Sequence, residues 1–172
     1  MPTHGVAIPI PEPWAEELAR VRSEVGDPLA ELIPPHVTLL PPTAVPRAMV
    51  SSFVAHLGLV AAAGSPFEMV LSGTASFRPI SPVVFVQVSE GISSCEQLER
   101  AVRSGPVERP LEFNYHPHVT IAHHVPDEAL DLAVARCADF RSSFEVTGFE
   151  LFEQGRDGVW RPQQHFALGG SR

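Results

Sequence analysis

The chain has 172 residues and a net charge of −8, with 20 acidic residues against 12 basic ones that are all arginine. This length suits a single domain over residues 1–172, made of two lobes with a substantial core. A protein that tracks a long nucleic-acid duplex needs clustered positive charge, and no run of arginines provides it. The composition therefore argues against a duplex-binding protein, and a phosphate-bearing partner is expected to be a small nucleotide or an RNA end.

The sequence shows neither a secretion signal nor a membrane-spanning segment. Its N-terminus lacks a basic stretch followed by an apolar one, and no apolar run approaches the roughly 20 residues that span a bilayer. We therefore expect a cytoplasmic monomer that does not bind membranes. Cys95 and Cys137 fall on predicted helices, where they could pair, although two reduced structural thiols are the preferred interpretation.

The first half of the chain predicts a strand, a helix, a second strand and a second helix. The first helix carries Trp14, Leu18 and Val21 at helical spacing, with prolines at its start. Pro41-Pro42 is expected to stop the second strand, and Pro46 to open the second helix. The predicted elements are a strand over 5–10, a helix over 12–25, a strand over 36–40 and a helix over 46–62.

The second half is richer in strands and contains two further helices. Ser93 and Glu96 have the spacing of a capping box at the start of the third helix, which Gly105-Pro106 closes. Pro126 opens the fourth helix, and Asp157-Gly158 is a strong hairpin signal between the last two strands. Strands are predicted over 67–71 and 75–77, separated by Ser72-Gly73, over 83–88 and 118–122, near 144–146 and 149–151, and after the Asp157-Gly158 turn, where 159–160 and 166–168 carry apolar residues.

One pentapeptide occurs twice, once in each half of the chain. Residues 35–39 read P-H-V-T-L and residues 117–121 read P-H-V-T-I. Side chains at i and i+2 of a strand share a face, so each copy presents a histidine beside a threonine, over an apolar back face. Each copy also precedes a predicted helix. We therefore predict an α+β, bilobal fold in which two pseudo-symmetric lobes line a central cleft with antiparallel sheets and carry their helices outside.

His36 and His118, with Thr38 and Thr120 beside them, provide the groups needed for acid–base chemistry on a phosphate ester. Imidazole titrates near neutral pH, so one ring can take a proton from the nucleophile while the other gives one to the leaving oxygen. The hydroxyls can donate to non-bridging phosphate oxygens, where charge gathers in the transition state. This chemistry needs no metal and no cofactor, and we predict that the two rings flank one phosphate, roughly 5–8 Å apart.

The duplicated motif resembles that of the two-histidine phosphoesterase superfamily, in particular its 2'-5' RNA ligase-like branch. Residues 5–10 resemble the first strand of that family, 77–88 its central strand pair and 149–166 its terminal hairpin. The resemblance covers nearly the whole chain and implies a bilobal fold with pseudo-twofold symmetry. It also implies that the four motif residues are a catalytic tetrad acting on 2',3'-cyclic phosphates or 2'-5' linkages.

The resemblance further implies a catalytic role for each motif histidine, and the chain departs from the family at one position. His36 is expected to be the acid and His118 the base when a 2',3'-cyclic phosphate is opened to a 2'-phosphate, although the residues alone do not distinguish the two. Ligation is the same chemistry reversed, and hydrolysis of a strained cyclic ester is the easier direction. Bacterial members often carry arginine where this chain has His123, so one substrate contact is expected to be missing or replaced.

Several other residues have a functional and a structural interpretation. Tyr115, just before the second motif, is expected to contact the substrate, since aromatic rings stack on unpaired bases. Phe113 is a further candidate, whereas Phe77 and Trp160 fit core packing better. Arg78 could bind phosphate or ribose but is expected to be an exposed surface arginine. His4, His56 and His165 show no pattern.

Two alternatives to the catalytic interpretation remain. The histidines at 116, 118, 123 and 124 suggest a metal site, but strand parity separates His123 from the first two and no cysteine or carboxylate stands at ligand spacing, so we predict no metal. A nucleotide- or RNA-end-binding module could use the same cleft without turnover. Binding alone does not need two proton-transfer groups, which favours the enzyme.

Overall fold

The computed structural model describes residues 1–169 and contains twelve regular elements in that range. Its eight strands are β1 (Thr3–Pro9), β2 (His36–Ala44), β3 (Phe67–Ser76), β4 (Val84–Glu90), β5 (His118–Ala122), β6 (Arg141–Val146), β7 (Gly148–Gln154) and β8 (Trp160–Ala167). Its four helices are α1 (Trp14–Glu24), α2 (Arg47–Ala63), α3 (Ile92–Arg103) and α4 (Asp127–Arg136). The order of elements is the predicted one, so the helical and strand periods were assigned correctly.

The strands form two four-stranded antiparallel sheets, which confirms the predicted α+β, two-lobed architecture. One sheet has the order β2-β1-β7-β8 and the other β5-β4-β3-β6. When β1-α1-β2-α2 is paired with β4-α3-β5-α4, the two strand orders correspond strand for strand, which is the expected pseudo-symmetry. Each motif strand, β2 or β5, is the edge strand of its sheet, and the two edges pack against each other.

The helices cross between the lobes. The first-half helix α1 packs against β5 and α4, while α3 of the second half packs against β2 and α2. Each motif strand is thus covered by a helix that belongs to the other half of the sequence. One continuous core, including Val37, Phe53, Ile121 and Phe149, fills the space between sheets and helices. The two lobes therefore share a core, and their relative position holds the motif strands together.

Three predicted boundaries were wrong, each for a local reason. Strand β2 continues through Pro41-Pro42 to Ala44, because an edge strand tolerates residues without an N–H on its outer side. Residues 67–71 and 75–77 belong to the single strand β3, in which Gly73, at φ +71°, accommodates a break in register. Helix α3 starts at Ile92 after Gly91, at φ +97°, so Ser93 lies inside the helix and makes no cap hydrogen bond.

The described part of the chain contains neither a disulfide nor a membrane-spanning helix. Cys95 and Cys137 are both buried and unpaired, as predicted, and burial raises the pKa of their thiols to about 12 and about 11. Across residues 1–169, no helix combines the length and the apolar character needed to cross a bilayer.

Candidate active site

The two motif strands show the predicted alternation of faces. On β2 and β5 the valine and the following aliphatic residue point into the core, while the histidine and threonine are half-buried on the opposite face. The buried set is Val37, Leu39, Val119 and Ile121, and the half-buried set is His36, Thr38, His118 and Thr120. The apolar back faces therefore anchor the strands, and the four polar side chains face the junction between the lobes.

Both imidazoles are oriented by the same backbone contact. Nδ1 of His36 lies 2.7 Å from the carbonyl oxygen of Pro34, and Nδ1 of His118 lies 2.6 Å from that of His116. A carbonyl only accepts, so Nδ1 carries the proton in each ring, and Nε2 is left with its lone pair. The intervening Pro35 and Pro117 fix the backbone that places each carbonyl, which explains the proline shared by both motifs.

The two rings differ in what lies around Nε2. Nε2 of His36 is 3.1 Å from the Thr38 hydroxyl, which donates to it because Nδ1 already holds the ring proton. The His36 ring also lies beside buried Trp160, with centroids 4.7 Å apart. His118 instead meets Phe77 and Phe85, with ring centroids 5.0 and 5.1 Å away. Aromatic neighbours thus hold both imidazoles at fixed angles.

Both histidines have a depressed pKa. Burial, partly offset by the hydrogen bond to Pro34, lowers the pKa of His36 from 6.5 to about 4, and the charges of Arg22 and His118 lower it further. Burial also lowers the pKa of His118, against the hydrogen bond to His116. In the unliganded protein both rings are therefore neutral at pH 7.

A cavity of about 550 Å³ opens beside the motif strands. It includes Thr38, His118 and Thr120 among its lining residues, whereas the His36 ring lies outside this lining, against Trp160. Its opposite walls come from the loop after β3 and from the loop between α3 and β5. These walls contribute mostly apolar side chains, including Phe77, Ile80, Val83, Leu111, Phe113 and Tyr115.

Tyr115 lies in the cavity wall and also joins the lobes. Its hydroxyl donates to the backbone carbonyl of Thr38 at 2.7 Å, which ties the loop before the second motif to the first motif strand. Burial, followed by the negative charges around it, raises the pKa of the phenol, so it stays protonated and keeps donating. Its hydroxyl is thus engaged, and the ring face is the part of Tyr115 available to a substrate.

The four neighbouring histidines separate into two pairs. His116 lines the cavity next to His118, with ring centroids 5.8 Å apart. His123 and His124 stack on each other at 3.7 Å and contribute nothing to the cavity lining. Within residues 1–169, no three His, Cys, Asp or Glu side chains converge as a metal site would require.

Of the remaining candidate residues, two line the cavity and one forms an ion pair. Phe77 was expected in the core, but it is half-buried and lines the cavity, because it follows β3 on the side of the cleft. Phe113 is 71% exposed at the cavity rim. Arg78, expected to be exposed, is partly buried and paired with Asp131 at 3.0 Å. Phe85, in the buried strand β4, was missed; its register opposite Thr120 places it on the site face.

Comparison with known proteins identifies the family. Residues 10–158 match the family described as the 2'-5' RNA ligase superfamily. A Bacillus licheniformis protein named "Putative phosphoesterase" is 27% identical, with 96% of this chain and 98% of that protein covered. A Bacillus cytotoxicus protein with the same name is 30% identical over 96% of both chains.

Solved structures show the same fold. Escherichia coli LigT in complex with NADP+ aligns with a TM-score of 0.74 at 22% identity, covering 98% of this chain and 99% of that chain. A Thermus thermophilus protein aligns with a TM-score of 0.69 at 22% identity, over 99% and 100% of the two chains. Because the family match spans most of the sequence and the whole fold agrees, the chain belongs to the 2'-5' RNA ligase superfamily.

Proposed function

We propose that the chain is a phosphoesterase that hydrolyses 2',3'-cyclic phosphates of RNA ends or nucleotides, or 2'-5' linkages, with His36 and His118 as its acid and base. One observation carries the proposal. Two imidazoles, each held by the carbonyl two residues earlier and each presenting Nε2, stand beside threonine hydroxyls where the two lobes meet. A site for one tetrahedral phosphate between two proton-transfer groups requires this arrangement.

In the proposed reaction one imidazole takes a proton from water as the water oxygen bonds to phosphorus. The other gives a proton to the ribose 3'-oxygen as its bond to phosphorus breaks, so that a 2'-phosphate and a 3'-hydroxyl result. Thr38 and Thr120 donate to the non-bridging oxygens. Since both rings are neutral before binding, the acid acquires its proton together with the anionic phosphate, whose negative charge raises the imidazole pKa.

We propose His36 as acid and His118 as base, the division of roles that the family resemblance implies. In the unliganded protein the Thr38 hydroxyl donates to Nε2 of His36. Once that nitrogen carries a proton it no longer accepts, so the hydroxyl is free to donate to the phosphate.

Substrates with different leaving groups distinguish these roles. A p-nitrophenyl phosphodiester needs no proton on its leaving group, so loss of the acid matters less for it than loss of the base. His36→Ala is expected to retain a larger share of wild-type kcat on that substrate than on a cyclic nucleotide, whereas His118→Ala loses equally on both. The opposite pattern, measured by steady-state kinetics, would assign the acid to His118.

The pH profile provides a second prediction. The base works above its pKa and the acid below its own, and both values lie under 6.5 in the free protein. The plot of kcat/KM against pH, which reports the free enzyme, is therefore expected to be bell-shaped with its maximum on the acid side of neutrality. A maximum well above pH 7 would show that the two histidines are not the titrating groups.

The cavity suggests a nucleotide-sized substrate. Its volume of about 550 Å³ lies within the range of small-molecule sites, and its aromatic wall of Phe77, Phe113 and Tyr115 offers faces for a base. Escherichia coli LigT, which shares the fold, has been solved with 3'-AMP and with ATP. Together these support a nucleotide or an RNA end, with Tyr115 as a substrate-binding residue and no long duplex.

A turnover screen tests the proposal against the rival binding module. The purified chain is incubated in EDTA with 2',3'-cyclic nucleotides, 2'-5' oligoadenylates and nucleotide-sugar cyclic phosphates, and products are separated by chromatography. Turnover that survives the chelator supports a metal-independent phosphoesterase. Binding of these compounds without any product would favour the non-catalytic module, and activity that requires an added divalent metal would favour a metal site at the histidines.

A further inference from the structure

A buried ion pair lies beside the end of β5 and has no part in the proposed reaction so far. Arg22, near the end of α1, is 6% exposed, and Asp27, just after that helix, is 4% exposed. Arg22 Nε donates to Asp27 Oδ2 at 2.8 Å. Burying two opposite charges carries a desolvation cost that a hydrophobic pair avoids, so stability alone does not explain the pair.

Asp27 links Arg22 to the second motif strand. Its Oδ1 accepts the backbone N–H of Leu29 at 2.8 Å, and its Oδ2 accepts the backbone N–H of His123 at 2.9 Å in addition to Arg22 Nε. His123 directly follows β5, which carries His118 and Thr120. The carboxylate therefore holds the guanidinium at a set position relative to that strand.

The guanidinium of Arg22 has donors left over. Arginine carries five N–H donors, and within residues 1–169 the bond from Nε to Asp27 is the one hydrogen bond this side chain makes. Its charge lies near enough to His36 and His123 to lower the pKa of both rings. The Nε edge of this guanidinium is fixed by Asp27, and its two amino groups are free to donate. A guanidinium in this state can bind two oxygens of a phosphate through parallel hydrogen bonds.

Two further arginines, Arg103 and Arg109, line the cavity, whereas Arg22 lies outside its lining, as His36 does. Arg103 Nε donates to both carboxylate oxygens of Glu99, at 3.0 and 3.3 Å. Arg109 is exposed and donates to the carbonyl of Pro42 at 3.3 Å. Neither lies among the charges that act on His36. Arg22 is thus the cation placed on the His36 side of the site.

We propose that Arg22 is a phosphate-binding residue of this site, held by Asp27 and donating from its amino groups to a non-bridging oxygen of the phosphate bound between His36 and His118. The location of that phosphate rests on the proposed function. The two threonine hydroxyls are neutral donors, so Arg22 supplies the fixed positive charge that the phosphate oxygens need as their negative charge grows.

The test measures binding of inorganic phosphate by calorimetry, which does not depend on turnover. Arg22→Met combined with Asp27→Asn removes both charges and leaves no buried ion unpaired. We expect the double variant to bind phosphate about ten- to a hundredfold more weakly, the loss typical of a hydrogen bond to a charged group. Asp27→Asn alone keeps the cation and should lose less. Arg20→Met, at an exposed residue of the same helix that pairs with Glu16, is the control and should bind like the wild type.

A double variant that melts like the wild type and binds phosphate equally well would overturn the proposal. A second readout uses the unmodified protein, so it stands even if the variant fails to fold. The side-chain nitrogen resonances of Arg22 should shift as phosphate saturates the site, in parallel with those of His36, and unchanged resonances at saturation would also refute the proposal. If the protein binds phosphate through Arg22 but turns over no cyclic phosphate, the proposed reaction is refuted and the phosphate-binding role of Arg22 stands.

Discussion

Replacing either His36 or His118 with alanine is expected to lower kcat on a 2',3'-cyclic nucleotide by about 10²–10⁴-fold, the usual contribution of a positioned acid or base. The double variant should be little worse than either single one, because acid and base act in the same step. Steady-state kinetics measure the effect. Thermal unfolding of each variant separates it from a loss of folded protein, since His36 packs on Trp160 and His118 on Phe77.

Neighbouring variants provide matched controls for this result. Thr38→Val and Thr120→Val each remove one neutral donor and should cost on the order of a hundredfold or less. His123→Ala should change kcat by less than about tenfold, because its ring stacks on His124 and alanine keeps the backbone N–H that Asp27 accepts. If His123→Ala proved as damaging as His118→Ala, the assignment of the catalytic residues would be wrong.

Replacing Ile121 with alanine is expected to destabilise the fold by about 2–5 kcal/mol, the range for truncating a fully buried aliphatic side chain. Ile121 is 0% exposed on the back face of β5, in the core between sheet and helices. Urea unfolding measures the change. The adjacent Thr120→Val is the matched control, because its side chain lies on the cleft face and should affect turnover more than stability.

This pair of variants tests whether β5 has the described register. A slip by one residue would exchange the two faces, so that Thr120 would enter the core and Ile121 the cleft. Loss of stability in Thr120→Val, together with a stable Ile121→Ala that has lost activity, would show that slip. Such a result would also remove His118 from the cleft.

The sequence alone predicted the layout because its strongest signals are local. Alternation within P-H-V-T-L and P-H-V-T-I depends only on strand geometry, and the structure shows it on both strands. The strand boundary at Pro41-Pro42 was wrong because it depends on whether β2 is an edge strand, which is a property of the whole sheet. The turn signal at Ser72-Gly73 likewise failed to predict the continuous β3, and the capping-box spacing at Ser93 failed to predict the start of α3.

The surroundings of the candidate site were harder to predict, since they come from contacts between distant residues. Phe85 reaches His118 through the pairing of β4 with β5, and Trp160 reaches His36 across the first sheet. Arg22 and Asp27 carry no motif, and they approach the site because α1 crosses onto the other lobe. The proline shared by both motifs is evident in the sequence, but its role in setting the carbonyl that orients each histidine was not predicted.

The most direct measurement of the central claim is ³¹P NMR of a nucleoside 2',3'-cyclic phosphate incubated with the wild-type chain and with the variant that lacks both histidines. We predict that the wild type converts the cyclic phosphate signal to that of a 2'-phosphate, and that the double variant, although folded, leaves it unchanged. Equal conversion by both proteins, or no conversion by a wild type that binds the nucleotide, would contradict acid–base catalysis by His36 and His118.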